Sequence, residues 1–198
     1  MESYVGIMSE PVVDLTDPRA LRALAHPLRL ALVGLLRREG PLTATRAGQL
    51  LGESSASCSF HLRQLAKYGL VEEAGGGTGR QRPWQATARA TRWPHLADDP
   101  DLAEASGNLD AVLAEHWLRG VLRWIDDRET EPADWQQAAA LGDALLWLTP
   151  AELSELTGRV DALFAEYAGR GENAETRPAG ARAVSYLQVA YPLPDEDA

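Results

Sequence analysis

Residues 55–68 gather side chains able to approach and hydrogen-bond a polyanion. On a helical wheel with Cys58 as origin, Leu62 falls at about +40° and Leu65 at about −20°, so these three share an inward face, with His61 at its edge. The opposite face carries Ala56, Phe60, Arg63 and Lys67, flanked by Ser57, Ser59 and Gln64, with Ser55 at the start of the helix; it holds no acid. Small residues permit close approach, hydroxyls and amides reach phosphates or base edges, and an arginine can bridge O6 and N7 of guanine. Phe60 is suited to pack on a thymine methyl. The plain alternative is a solvated polar helix face. Arg80 and Arg82 follow the run Gly75-Gly76-Gly77-Thr78-Gly79, whose lack of bulk lets them reach phosphates or a minor groove from a hairpin tip. The same glycines also suggest phosphate cradling, but no Gly-Lys-Ser/Thr follows and no helix starts there.

Other chemistries find less support. Cys58 is the only cysteine, which excludes an internal disulfide framework and a multi-cysteine zinc site; its inward position makes it a small core hydrophobe. His26, before Pro27, reads as a helix-end feature, and His61 as a structural hydrogen bond or phosphate contact. His95 and His116 have no partner by spacing, and no Ser/His/Asp or metal-ligand pattern occurs. The expectation is therefore a chain without catalytic residues, metal or cofactor.

The elements that position these residues follow from local signals. Asp17-Pro18 opens a first helix that ends before His26-Pro27, and Pro27 opens a second in which Leu28, Ala31, Leu32, Leu35 and Leu36 form the apolar stripe. Gly40-Pro41 stops it. Thr43, grouped here with the candidate DNA contacts, is also an N-cap for a short helix through Leu51, and Gly52 supplies the turn before the helix at 55–68. That spacing is a helix-turn-helix. Residues 70–73 and 82–87 read as the two strands of a hairpin.

The charges divide in the same place. The chain of 198 residues has a net charge of −10, with 12 Lys+Arg against 8 Asp+Glu over residues 1–95 and 7 against 21 over 96–198. Within 19–93 the balance is +8. A basic half joined to an acidic half implies two jobs. No apolar run approaches the roughly 20 residues of a membrane span, and the first residues, with Glu2 and Glu10, lack a secretion pattern. A cytoplasmic protein without membrane contact is expected.

Three motifs in order, Leu21-Arg22-Ala23-Leu24-Ala25-His26-Pro27-Leu28-Arg29, Ser59-Phe60-His61-Leu62-Arg63-Gln64-Leu65 and Gly69-Leu70-Val71, resemble the winged helix-turn-helix of the arsenic-repressor-like (ArsR-type) bacterial transcription regulators. Gly79-Arg80-Gln81-Arg82-Pro83-Trp84 resembles the wing of a longer-chain branch with an extra C-terminal domain. The resemblance covers about residues 15–93. It implies a homodimer that sets two recognition helices in successive major grooves of a double-stranded operator, usually as a repressor released by a signal. The family's metal-sensing members carry a cysteine pair in the helix before the recognition helix. Here Thr45-Arg46-Ala47-Gly48-Gln49-Leu50-Leu51 has none.

The fold class expected is mainly α with small β: a winged helix-turn-helix over 15–93, a linker at 94–101, an α+β dimerisation and effector domain over 102–192, and an acidic tail at 193–198. Within the second domain a helix over 102–127 carries Leu109, Val112, Leu113, His116, Trp117, Val121, Trp124 and Ile125 on one stripe, widened by Leu118 and Leu122. A strand follows at 144–149, then a helix opened by the capping box Thr149-Pro150-Ala151-Glu152 and ending at Gly169, then a strand at 183–191. Trp117, Trp124 and Trp147 are candidates for the wall of a pocket for a flat or apolar effector, against the alternative of core or interface. The surplus acid suggests a cationic ligand, repulsion from DNA, or only a solvated surface. The reading is a dimeric DNA-binding regulator; the competing ones are a winged-helix protein-interaction module and a regulator without ligand control.

Overall fold

A computed structural model describes residues 12–77, 82–172 and 174–194. After β1 (Val12–Asp14), a series of side-chain caps divides the chain into short helices. The Asp17 carboxylate accepts the Arg19 amide at 2.8 Å and starts α1 (Pro18–Leu24). His26 starts α2 (Pro27–Glu39) through Nδ1, which accepts the Leu28 amide at 3.1 Å, and Gly40 ends it at a φ of 80°. After β2 (Leu42–Thr43), Thr43 caps α3 (Ala44–Leu51), and Ser54 caps α4 (Ser55–Ala66), accepting the Ser57 amide at 3.0 Å. Each such cap satisfies a backbone donor that the helix leaves orphaned, for about 1 kcal/mol.

The four helices close on Leu21, Leu32, Leu35, Leu62 and Leu65, with Cys58 fully buried among them. β3 (Val71–Glu73) and β4 (Pro83–Ala86) form the expected hairpin, with Val71 opposite Ala86 and Glu73 opposite Trp84. Two features have no counterpart in the sequence reading. β2 joins the hairpin on the far side of β4, pairing Leu42 with Trp84, and β1 runs parallel to β5 (Ala90–Arg92), where Asp14 and Arg92 form an ion pair at 2.5 Å.

Asp99 caps α5 (Pro100–Asp127), whose first turns complete the same core: Ala105, Ser106 and Leu109 are buried against it, and Arg22 of α1 pairs with Asp101. The helix thus starts two residues before the expected 102. A short helix, α6 (Ala133–Ala138), follows, and then α7 (Pro150–Glu172). The capping box is formed: Thr149 donates its amide to Glu152 at 2.8 Å, and Glu152 donates its own to Thr149 Oγ1 at 3.3 Å. α7 passes the expected stop at Gly169 because that glycine stays right-handed, and Arg177 covers the terminal carbonyls of Arg170 and Gly171.

The strands expected at 144–149 and 183–191 are not formed; both stretches are irregular. A strand needs a neighbour for its amides and carbonyls, and among the described residues neither stretch finds one. Leu145, Leu146, Val184 and Tyr186 stay exposed. The described residues are thus mainly helical with two small sheets, and the helix-strand-helix-strand order expected for the second half is replaced by helices and irregular segments.

The turn between α3 and α4 closes on Gly48, where an added Cβ would lie 2.6 Å from the Glu53 carbonyl oxygen. Gly48→Ala is expected to cost about 1–3 kcal/mol by overpacking against backbone that cannot yield. Gly34→Ala, in the open middle of α2 with nothing within 4 Å, is expected to raise stability by up to about 1 kcal/mol. Thermal denaturation of the two variants reads the contrast; equal shifts would remove the close approach as the constraint.

Candidate nucleic-acid interface

α4 is held from one side only. Cys58, Leu62 and Leu65 are its buried residues, and burial raises the Cys58 thiol pKa above its usual value. On the other side Ser55, Ala56, Arg63 and Lys67 are exposed, Phe60 stands 52% exposed, and Ser57, Ser59 and Gln64 lie half-buried at the flanks. The structure brings these eight candidates together on one helix surface. Arg63 donates to Ser59 Oγ at 2.9 Å, one turn back, which holds the guanidinium along the helix. The Lys67 ammonium lies 5.4 Å from the Tyr68 ring centroid.

The remaining candidates differ in their surroundings. Thr43 is half-buried, and its Oγ1 accepts the Arg46 amide at 3.2 Å, so its hydroxyl is engaged in the cap of α3. Arg82, at the start of the returning strand, pairs with Glu73 across the hairpin at 2.8 Å. Both groups are exposed, and such a pair is worth at most about 1 kcal/mol, little enough for a phosphate to displace the carboxylate. Arg80 lies outside the described residues. Sequence reasoning passed over Arg46, exposed on α3 and bonded to Gln49 at 3.2 Å, and over Ser54, the cap of α4. A Ser at the position before a helical run was the available signal for the second.

His26 and His61 stand together beneath this surface, their ring centroids 4.6 Å apart. His26 is the helix-end feature expected. His61 Nδ1 is buried without a hydrogen-bond partner among the described residues. Burial is the main cause lowering both pKa values from the ordinary 6.5, with Arg29 adding repulsion in each case, His26 adding more at His61, and Glu53 opposing there.

The pocket candidates are separated. Trp117 lines a broad cleft, Trp124 is half-buried on α5 away from the cleft's walls, and Trp147 is 84% exposed on an irregular stretch. Among the described residues no His, Cys, Asp or Glu cluster is arranged to hold a metal ion, and no helix is long and apolar enough to cross a membrane.

A family described as a helix-turn-helix domain matches residues 24–74, the stretch from the end of α1 through α2, α3, α4 and β3. No curated protein matches the chain. The chain therefore carries a helix-turn-helix domain, with the exposed face of α4 inside the match.

The histidine pair sets an acid limit on this domain. Below about pH 6.5 the unfolded chain binds protons that the folded chain, with lowered histidine pKa values, does not, so stability falls as pH drops. Protonation also removes the Nδ1 acceptor that caps α2. His26→Asn keeps a capping acceptor without titrating, and its melting temperature is expected to fall less than that of the unaltered protein between about pH 7.5 and about pH 5.5. Identical falls would take His26 out of the acid response.

Proposed function

We propose that this chain is a sequence-specific regulator of transcription that binds a double-stranded DNA operator as a homodimer and represses by occupying it. One observation carries the reading: the exposed face of α4 holds hydroxyl, amide, cationic and small side chains and no acid, on a helix packed by its other face alone. That is the arrangement a helix needs to enter a major groove. Arg63 and Gln64 read base edges, Ser55, Ala56, Ser57 and Ser59 allow close approach and bond phosphates, and Phe60 packs on a thymine methyl. Lys67, Arg80, Arg82 and the first turn of α3 at Thr43 follow the phosphate backbone.

In this reading residues 15–93 are the DNA-binding domain, 94–101 the link, and 102–192 the part that joins two copies and takes an effector, in the cytoplasm. Exposed apolar groups in the second half support the joining. Leu118 and Leu122 project from α5, 57% and 50% exposed, and the irregular stretch after α6 leaves Leu145 and Leu146 uncovered. Apolar groups so placed favour a second copy over water.

On a duplex selected by the unaltered protein from random sequence, Arg63→Ala is expected to cost about 1–3 kcal/mol of binding and to relax one base position. Lys67→Ala is expected to weaken binding to all sequences alike and to reduce the salt slope by about 1. Fluorescence anisotropy across a salt series measures both, and unchanged affinity in the two variants sinks the assignment. Introducing Leu118→Glu and Leu122→Glu together is expected to halve the mass found by analytical ultracentrifugation. A dimer that persists would move the interface elsewhere.

A further inference from the structure

The broad cleft, about 2070 Å³, lies between α2, the α3–α4 turn, α5, α7 and the irregular C-terminal segment. Its lining reverses the charge of the half that builds it. Of the seven arginines in residues 96–198, five line the cleft, whereas none of the carboxylates of that segment is found among its described walls. With Arg37, Arg38 and Arg89 from the first half, eight guanidiniums line the cleft with one carboxylate, Glu53, while Arg38, Arg119 and Arg182 pair with Glu39, Glu115 and Glu131 behind the lining.

Three of these cations are held without a counter-charge among the described residues. Arg37 donates to the Ala88 carbonyl at 3.0 Å and to Thr91 Oγ1 at 2.7 Å. Arg89 donates to the carbonyls of Arg37 at 2.5 Å and Gly171 at 2.8 Å, and Arg177 donates to Gly171 at 3.1 Å. All of these acceptors are neutral. Burial, and then the neighbouring Arg89, push the Arg37 pKa down to about 10, as expected for guanidiniums crowded together and short of anions. Capping of the α7 carbonyls accounts for two of the three, Arg89 and Arg177. It leaves the positive charge in place. The same cleft is also lined by Trp117, Phe164 and Tyr186, the last two in edge-to-face contact with centroids 4.7 Å apart.

We propose that the cleft binds a small aromatic oxyanion, a carboxylate or phosphate ester, with its charged group on Arg37, Arg89 and Arg177 and its ring toward Trp117. Guanidiniums meet such groups two bonds at a time, and the aromatic walls take the body of the ligand. The cationic ligand suggested by the acidic composition gives way to an anionic one, because among the described residues no carboxylate pairs with Arg37, Arg89 or Arg177. The site names the chemistry of the effector in the regulator reading above and rests on that reading for its consequence. Leu118 and Leu122 lie on a flank of α5, on average about 110° around the helix from His116, Arg119 and Arg123, which line the cleft.

The test titrates the full-length protein with 2-naphthoate, 2-naphthyl phosphate, 2-naphthalenemethanol and 2-naphthylmethylammonium, reading tryptophan quenching that Trp117→Phe abolishes. Either or both anions are expected to bind at least about tenfold more tightly than the alcohol, with the amine weakest, and the one preferred identifies the headgroup. Added salt is expected to weaken the anions alone. Arg177→Gln and, separately, Arg89→Gln are each expected to lower anion affinity about tenfold while leaving the alcohol unchanged. Equal binding of all four probes, a preference for the amine, or no binding at all overturns the proposal. Operator affinity measured with and without the preferred anion separates the two readings. Binding without any change in operator affinity keeps the anion site and removes the effector role. A change in operator affinity produced equally by all four probes keeps the role and removes the anion.

Discussion

Three inward side chains hold α4 in place, and the rest of the molecule is arranged around that economy. Cys58, Leu62 and Leu65 are buried completely, and each leucine contributes roughly 1.5–3 kcal/mol by leaving water. A wider apolar stripe would grip the helix harder but would consume the flanks where Ser57, Ser59 and Gln64 now stand half-exposed. The narrow seam therefore needs support from elsewhere. Leu21, Leu32 and Leu35 provide a fully buried counter-surface, and Gly48 lets the preceding turn close against backbone. Ser54 fixes the start of the helix by a side-chain bond rather than by burial, so the outer face stays whole.

What could be read in the residues was what depends on neighbours a few positions away. Asp17, Thr43, Gly52 and the Thr149–Glu152 box each act within four residues, and each is found where local chemistry puts it. The wheel for residues 55–68 works for the same reason, since one helix fixes which side chains share a face. The β1–β5 pair joins residues 78 positions apart through three paired strand positions and an ion pair, and nothing near Val12 announces Ala90. The apolar runs at 144–149 and 183–191 show the opposite failure. Their composition suits a strand, but pairing is a property of two segments, and among the described residues neither meets a second edge.

Charge follows the same division between what sums and what is placed. A net value of −14 over residues 96–198 describes an average over the whole segment, and salt screens its field beyond the Debye length of about 10 Å. Within the cleft the nearest groups decide, and there the arginines of α5 and of the chain after α7 outnumber the acids. The spacing of His116, Arg119 and Arg123 on one helix face was visible in the sequence. Which way that face points was not, because it depends on α5 docking its first turns through Leu109 and Asp101 onto α1.

That docking also determines how the two halves can influence each other. α5 is continuous from Pro100 to Asp127, so its buried first turns and the arginines near its far end move as one body. The same cleft wall includes Ser57 and His61 of α4, neighbours in sequence of Ala56 and Phe60 on the outer face. An occupant touching both helices acts on the position of α4 and shares the flanking Ser57 with its outer surface. It can alter DNA affinity only by the difference between its affinities for the two placements of α4, and DNA must alter the occupant's affinity by the same factor. The opposing cost is set by Cys58, Leu62 and Leu65, the three fully buried side chains whose packing a shift of α4 would disturb.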